Sequence, residues 1–314
     1  MSYSVRSLII GNICIKTLCS KEETHETESI LYVLCHQQAG KKIRDFDDAD
    51  RKTEYMKKVM ELMANAGEDD CAPSISIDLK KMFSDFWEQP MEDYSSIKKE
   101  FNQLMLDLEP SLEETIRNSD DPLKTALLYA RIGNYIDFAA LANVDSATVL
   151  SLLNEENKDP LDENEYRRFR EELASASRLV YLTDNCGEVV LDKLVVKLLK
   201  EFYPELAITV IVRGFPAIND ATMEDAEEIG LTEITRVIGN GNDVGGTWLP
   251  HISEEARKLL ETADLIIAKG QGNYETLHEC GLNIYYLFLC KCEWFQRQFH
   301  AHPLEGMFIN ERRI

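Results

Sequence analysis

Basic residues are scarce in this chain: 34 Lys and Arg stand against 56 Asp and Glu in 314 residues, a formal charge of −22 at pH 7. That balance excludes broad binding to a nucleic-acid backbone or an anionic membrane, because both demand a positive surface. Any anionic ligand must be small and met by a local cation. Long hydrophobic runs are also missing. None approaches the roughly 18 residues of a membrane span, and the opening stretch MSYSVRSLIIGNICIK has no signal-peptide cleavage pattern after its short apolar segment. A cytoplasmic location is expected. No CxxC pair occurs among the eight cysteines at 14, 19, 35, 71, 186, 280, 290 and 292, so reduced thiols are expected over disulfides or a zinc site. The P-loop pattern is absent, and two partial GxGxxG matches fail, at Val244 and at Glu275. A dinucleotide dehydrogenase or P-loop NTPase would therefore need an unusual signature.

The apolar residues are ordinary in amount, 44% of the chain, and enough for a substantial core. Their spacing divides the chain. Residues 29–38, 51–66, 77–88 and 95–108 carry apolar residues at helical intervals, with breaks at Pro73, Pro90 and Pro110. Asp121-Pro122 reads as a helix N-cap followed by Pro in the first turn. Within this half, RIGNYIDF (131–138) sets Gly, Asn and Asp in a helical context. Gly133 costs a helix roughly 1 kcal/mol relative to Ala, which implies close packing or a local break. Asn134 and Asp137, three apart, could share a face. Residues 1–170 are expected to form a mainly helical subdomain and 171–314 an α/β catalytic domain, or the two one continuous fold.

The second half alternates strand and helix. Residues 178–183, 207–213, 234–238, 265–268 and 284–289 read as buried strands, the last of them the final strand, and 189–202, 223–229 and 253–262 as helices. The stretch 269–275 reads as a Gly-rich loop. The expected fold class is α/β: a three-layer α/β/α Rossmann-like parallel sheet with an N-terminal helical subdomain. In such sheets ligands bind at the carboxyl ends of the strands. Asp184 and Asn185 follow the first strand, and Asn219 and Asp220 follow the second. Asp184, Asn185 and Asp220 together offer three oxygen ligands that suit a hard divalent cation with open positions, the layout for hydrolysis of a phosphate ester. Asp184 or Asn185 could equally serve as a simple helix N-cap. Lys269 and Lys291 follow strands and supply cations for phosphate, and backbone N–H groups at Gly187, Gly270 and Gly272 could assist, as could Asn134, Asp137 and Asn219.

These blocks, Asp184-Asn185-Cys186-Gly187-Glu188, Arg213-Gly214 with Pro216, Asn219-Asp220-Ala221-Thr222, Gly246-Thr247 and 268–275 (AKGQGNYE), resemble the signature blocks of the DUF89 family, metal-dependent damage-control phosphatases with the ARMT1-like domain. RIGNYIDF is similar to that family's helical Gly-Asn motif, and Cys14 with Cys19 resembles the N-terminal cysteines of its prokaryotic-type branch. The resemblance implies a divalent metal (Mn²⁺, Co²⁺, Ni²⁺ or Mg²⁺) on Asp184, Asn185 and Asp220, and phosphatase activity on small phosphorylated metabolites. Two alternatives stand beside it: an S-adenosylmethionine-dependent carboxyl methyltransferase, which the absence of a Gly-rich cofactor turn after the first strand disfavours, and a non-catalytic phosphometabolite-binding module.

Overall fold

The computed structural model describes residues 39–67, 70–134, 150, 151, 160–291 and 293–314. Asp137, Cys14, Cys19 and the expected helix at 29–38 lie outside them. The chain divides into two compact units, residues 1–92 with 291–303, and residues 93–290 with 304–314. The division therefore falls well before residue 170, because the helices that follow Glu92 belong with the sheet.

In the smaller unit, α1 (Ala49–Ala64) and α2 (Ala72–Trp87) bury Tyr55, Val59 and Met63 against Ile75, Leu79 and Trp87. Tyr55, Phe86 and Trp87 form an aromatic cluster with centroids 5.2–5.9 Å apart. Helix α2 begins earlier than the expected 77, since Pro73 occupies its first turn, where the missing N–H would have no helical partner.

The larger unit is built on a six-stranded sheet in the order β3-β2-β1-β4-β5-β6: β1 (Arg178–Leu182), β2 (Ala207–Val212), β3 (Arg236–Gly239), β4 (Leu265–Lys269), β5 (Ile284–Leu289) and β6 (Gly306–Asn310). The first five run parallel and β6 runs antiparallel to β5. The sixth strand, GMFIN, escaped the expectation of five: it is short, starts on Gly and is only half buried. Its Phe308 nevertheless packs into the core, 5.6 Å from the ring of Phe169 and 5.4 Å from that of Tyr285.

Helices cover the sheet. They are α3 (Ser95–Arg117), α4 (Pro122–Gly133), α5 (Glu163–Ser175), α6 (Glu188–Phe202), α7 (Met223–Glu228), α8 (Glu254–Thr262) and α9 (Gly270–Leu277). Helix α3 runs through Pro110 instead of ending at 108. Pro110 is exposed, while Met105, Leu108, Leu112 and Ile116 continue one buried stripe across it, so core burial outweighs the one lost backbone bond. Helix α9 starts with no linker after β4, in the stretch expected to be a loop; packing overrides the poor helix propensity of Gly, Gln and Asn. The winding reverses between β1 and β4, which are hydrogen-bonded neighbours with Leu182 opposite Ala268. Right-handed crossovers then place successive helices on opposite faces and open a crevice at the carboxyl ends of β1 and β4.

If β6 is part of this core, Phe308→Ala should cost about 3–5 kcal/mol, the range for deleting a buried aromatic ring. Denaturant unfolding measures it, and a loss below about 1 kcal/mol would show that the strand contributes no core.

Candidate functional site

The first loop leaves β1 through Thr183 into Asp184 and Asn185, and the second leaves β2 through Arg213. Backbone bonds sew them together: Ala221 N–H donates to Asp184 O at 2.7 Å, Cys186 N–H to Asn219 O at 2.8 Å and Arg213 N–H to Ala221 O at 2.9 Å. Asn185 and Asp220 pair as an isolated antiparallel bridge. The three expected oxygen donors, Asp184, Asn185 and Asp220, are thereby held side by side. Ile218, two residues before Asp220, sits at φ +50, a conformation costly for a β-branched residue that the surrounding bonds must impose.

Charged partners converge on this loop pair. Arg213, almost fully buried, donates from Nε to Asp220 Oδ2 at 2.5 Å and from Nη1 to Asn273 Oδ1 at 3.2 Å, and its Nη2 lies 3.5 Å from Asp184 Oδ1. Asn134, the C-cap of α4, donates from Nδ2 to Asp184 Oδ2 at 2.8 Å and to Glu188 Oε2 at 3.1 Å. Gly133 is what lets α4 come this near: a Cβ there would lie 2.8 Å from Leu191 Cδ1 and 3.1 Å from Glu188 Cγ. Both meanings of the RIGN motif thus hold together, a close helix crossing and a side chain delivered to the site. Asn219 Nδ2 is buried without a hydrogen-bond partner among the described residues.

Lys269 does not present a bare ammonium. At 0% exposure it donates to Glu188 Oε1 at 2.5 Å, Asp192 Oδ1 at 2.7 Å and the Ala130 carbonyl at 2.8 Å, which uses all three N–H bonds. Burial opposes its charge, yet Asp192 and Glu188 alongside hold its pKa above the ordinary lysine value. Burial also pushes Asp192 up to about 6 against the pull of Lys269. Tyr181 donates its hydroxyl to the same Asp192 oxygen at 2.7 Å. Lys291 falls in the smaller unit. Gly187 N–H donates to Asn102 Oδ1 at 2.7 Å, so that group too is committed within the protein. Cys186, inside the same motif, is no nucleophile, since burial raises its thiol far above neutral pH.

Glycines at the site serve close approach. Gly270, at φ +78, faces Asp184 so tightly that a Cβ would lie 2.0 Å from Asp184 Oδ2. At Gly272 a Cβ would lie 2.0 Å from the Gly245 carbonyl, so the 239–247 loop lies directly on α9. Asn273 ties the pieces, donating to Thr183 O at 3.0 Å and Lys269 O at 2.7 Å and accepting from Thr247 Oγ1 at 2.8 Å. Glu188, Asp192, Arg213 and Asn273 were not singled out from sequence. Glu188 and Arg213 stood inside the quoted motifs, whereas Asp192 reads as one more charge on a helix.

The donor set fits a divalent cation. In this network Asp184 and Asp220 meet Arg213, and Glu188 and Asp192 meet Lys269, so carboxylates outnumber cations among the pairs formed by the described residues. Among the described residues Asn134 Oδ1 is in addition a buried acceptor with no partner. Like charges so confined need a counter-ion.

Lys269→Met should cost about 3–5 kcal/mol of stability, because it leaves Glu188 and Asp192 buried without their cation; a variant as stable as the wild type in urea would remove the ion cluster from this account. Gly270→Ala and Gly281→Ala form a second test. Gly281 has nearly the same φ, +77, with nothing within 4 Å of a Cβ, so its variant carries backbone strain alone, roughly 1–2 kcal/mol. Gly270→Ala adds the collision with Asp184 and should lose clearly more; equal losses would show that the close approach carries no energy.

Residues 28–303 match the model of the damage-control phosphatase ARMT1-like domain. A damage-control phosphatase of Archaeoglobus fulgidus is 36% identical over 205 residues, which cover 64% of this chain and 70% of that protein. A second damage-control phosphatase, from Pyrococcus horikoshii, is 33% identical over 174 residues, 55% of this chain and 60% of that protein. Among solved structures, a DUF89-family protein of Pyrococcus horikoshii shares the fold with a TM-score of 0.70 at 24% identity, over 92% of this chain and 98% of that one. With the family model spanning residues 28–303, the chain belongs to the damage-control phosphatase ARMT1-like domain family.

Proposed function

We propose that this phosphatase hydrolyses a small phosphorylated metabolite with the help of a divalent cation, Mn²⁺, Co²⁺, Ni²⁺ or Mg²⁺, held by Asp184, Asn185 and Asp220. The observation that carries the reading is the convergence of two carboxylates and an amide, Asp184, Asp220 and Asn185, on two loops bonded to each other beyond β1 and β2. When bound, such a cation supplies Lewis acidity toward phosphoryl oxygens. The protein's own groups do the rest. Arg213 holds Asp220 by a charge-assisted bond and spreads positive charge toward Asp184, so the two carboxylates tolerate each other's proximity. Asn219 Nδ2 is a buried donor whose partner we assign to a substrate oxygen. The first turn of α9 starts at Gly270 and Gly272, where backbone N–H groups suit an anion, with Lys269 acting from behind as the counter-ion of Glu188. Among the described residues no helix is long and apolar enough to cross a membrane, which accords with a substrate met in water.

The substrate must be small because the protein is so acidic: a polyanion would meet repulsion everywhere except at this crevice. Asp184→Asn keeps the shape but removes one carboxylate and turns one acceptor oxygen into an N–H donor. It should lower kcat/KM on phosphate esters on the order of 100-fold or more, together with Mn²⁺ affinity by calorimetry. Wild-type protein stripped with EDTA should be inactive and recover on adding Mn²⁺, Co²⁺, Ni²⁺ or Mg²⁺; full activity after stripping would overturn the metal-dependent reading.

A further inference from the structure

Two asparagines, from different parts of the chain, are bonded to the same pair of oxygen atoms. Asn134 Nδ2 donates to Asp184 Oδ2 at 2.8 Å and to Glu188 Oε2 at 3.1 Å. Asn185 Nδ2 donates to Asp184 Oδ2 at 2.9 Å and to Glu188 Oε2 at 3.0 Å. Each amide thus spends both N–H bonds on carboxylate oxygens, which can only accept. The orientation of both amides is therefore forced, with no freedom to exchange nitrogen and oxygen. Their carbonyl oxygens must point away from Asp184 Oδ2 and Glu188 Oε2, and Asn134 Oδ1 is buried there with no partner among the described residues. A buried acceptor left unsatisfied is expensive, so a ligand for it is called for.

Glu188 is what imposes this arrangement. It is fully buried, and its other oxygen takes the Lys269 ammonium at 2.5 Å. That ammonium occupies the oxygen that could otherwise bind a cation directly and leaves Oε2 to accept from both amides.

We infer that Glu188 is a positioning residue that turns two amide oxygens, Asn134 Oδ1 and Asn185 Oδ1, toward the cation, and that Asn134 supplies a further neutral oxygen ligand beside Asp184, Asn185 and Asp220. The inference rests on the metal reading above and goes beyond it, since it brings in a ligand from α4 and a buried residue that never touches the ion. Neutral amide oxygens added to two carboxylates raise the ligand number without raising the charge, which suits a hard divalent cation that must still accept a phosphate.

Mn²⁺ binding without substrate, read by calorimetry, and the visible absorption of the Co²⁺-loaded protein test this on four variants. Asn134→Ala and Glu188→Gln should each weaken Mn²⁺ on the order of 10–100-fold, the range for loss of groups that orient ligands. Each should also alter the Co²⁺ spectrum at saturating metal, which a loss of stability alone would not do. Asn134→Asp separates clamp from charge: a site without the clamp gains a carboxylate and binds Mn²⁺ more tightly, whereas with the clamp two N–H bonds are lost and binding weakens. That variant decides the question even if Glu188→Gln does not fold. Asp184→Asn is the reference. If it abolishes Mn²⁺ binding while Asn134→Ala or a folded Glu188→Gln binds Mn²⁺ with the wild-type affinity and Co²⁺ spectrum, or Asn134→Asp binds more tightly, the inference is overturned. Wild-type binding in Asp184→Asn would instead overturn the metal reading itself.

Discussion

The ammonium of Lys269, sealed from water at the last residue of β4, joins three pieces of the larger unit at one atom: α6 through Glu188 and Asp192, α4 through the Ala130 carbonyl, and the sheet through its own backbone. A charge so deep is tolerated only when every N–H is paired, and each of its three is. The arrangement does more for uniqueness than for net stability, because swapping such a cluster for apolar side chains often costs nothing, whereas removing one partner is severe. Its effect on the site is indirect and decisive. With Lys269 on one oxygen of Glu188, the second oxygen gathers the amides of Asn134 and Asn185, and these in turn hold Asp184 Oδ2.

Around that anchor, the carboxyl edge of the sheet is crowded to the point where only glycine fits. Gly270 leaves room for the Asp184 carboxylate, Gly272 for the Gly245 carbonyl, and Gly133 for Leu191 and Glu188. Crowding and charge act together. Backbone brought this close excludes water, and the carboxylates left inside interact through a medium that screens them poorly. Their excess negative charge then becomes a strong local demand for a cation. The chain as a whole, at −22, raises the concentration of cations near its surface and opposes anions.

Much of this was legible in sequence because it depends on short-range pattern. Buried strands announce themselves as unbroken apolar, β-branched runs, and all five expected parallel strands lie within two residues at either end of where they were read; the largest offset is at 234, where the first residues of the run close a 3-10 turn and β3 starts at Arg236. Polar residues directly after those strands gave Asp184, Asn185 and Asp220, and their adjacency is a consequence of parallel pairing between β1 and β2. What propensity misjudged was α9, where Gly and Asn occur in a helix held by Asn273 and by contact with the 239–247 loop, and α3, whose buried stripe carries it across Pro110.

By itself the sequence determined the class of fold, the acidity of the chain, and the oxygen donors that follow the first two strands, since each follows from residue type and a spacing of a few positions. Only the tertiary structure decided what the lysine after β4 does. From sequence, Lys269 is a cation at a strand end, ready for phosphate; folded, its ammonium is claimed by Glu188 and Asp192, 81 and 77 positions away in the chain. The same holds for Asn134, which reaches Asp184 across 50 positions because Gly133 lets α4 press against α6. Pairings over such separations depend on how helices cross and where a side chain is missing, and no local pattern of residues encodes that geometry.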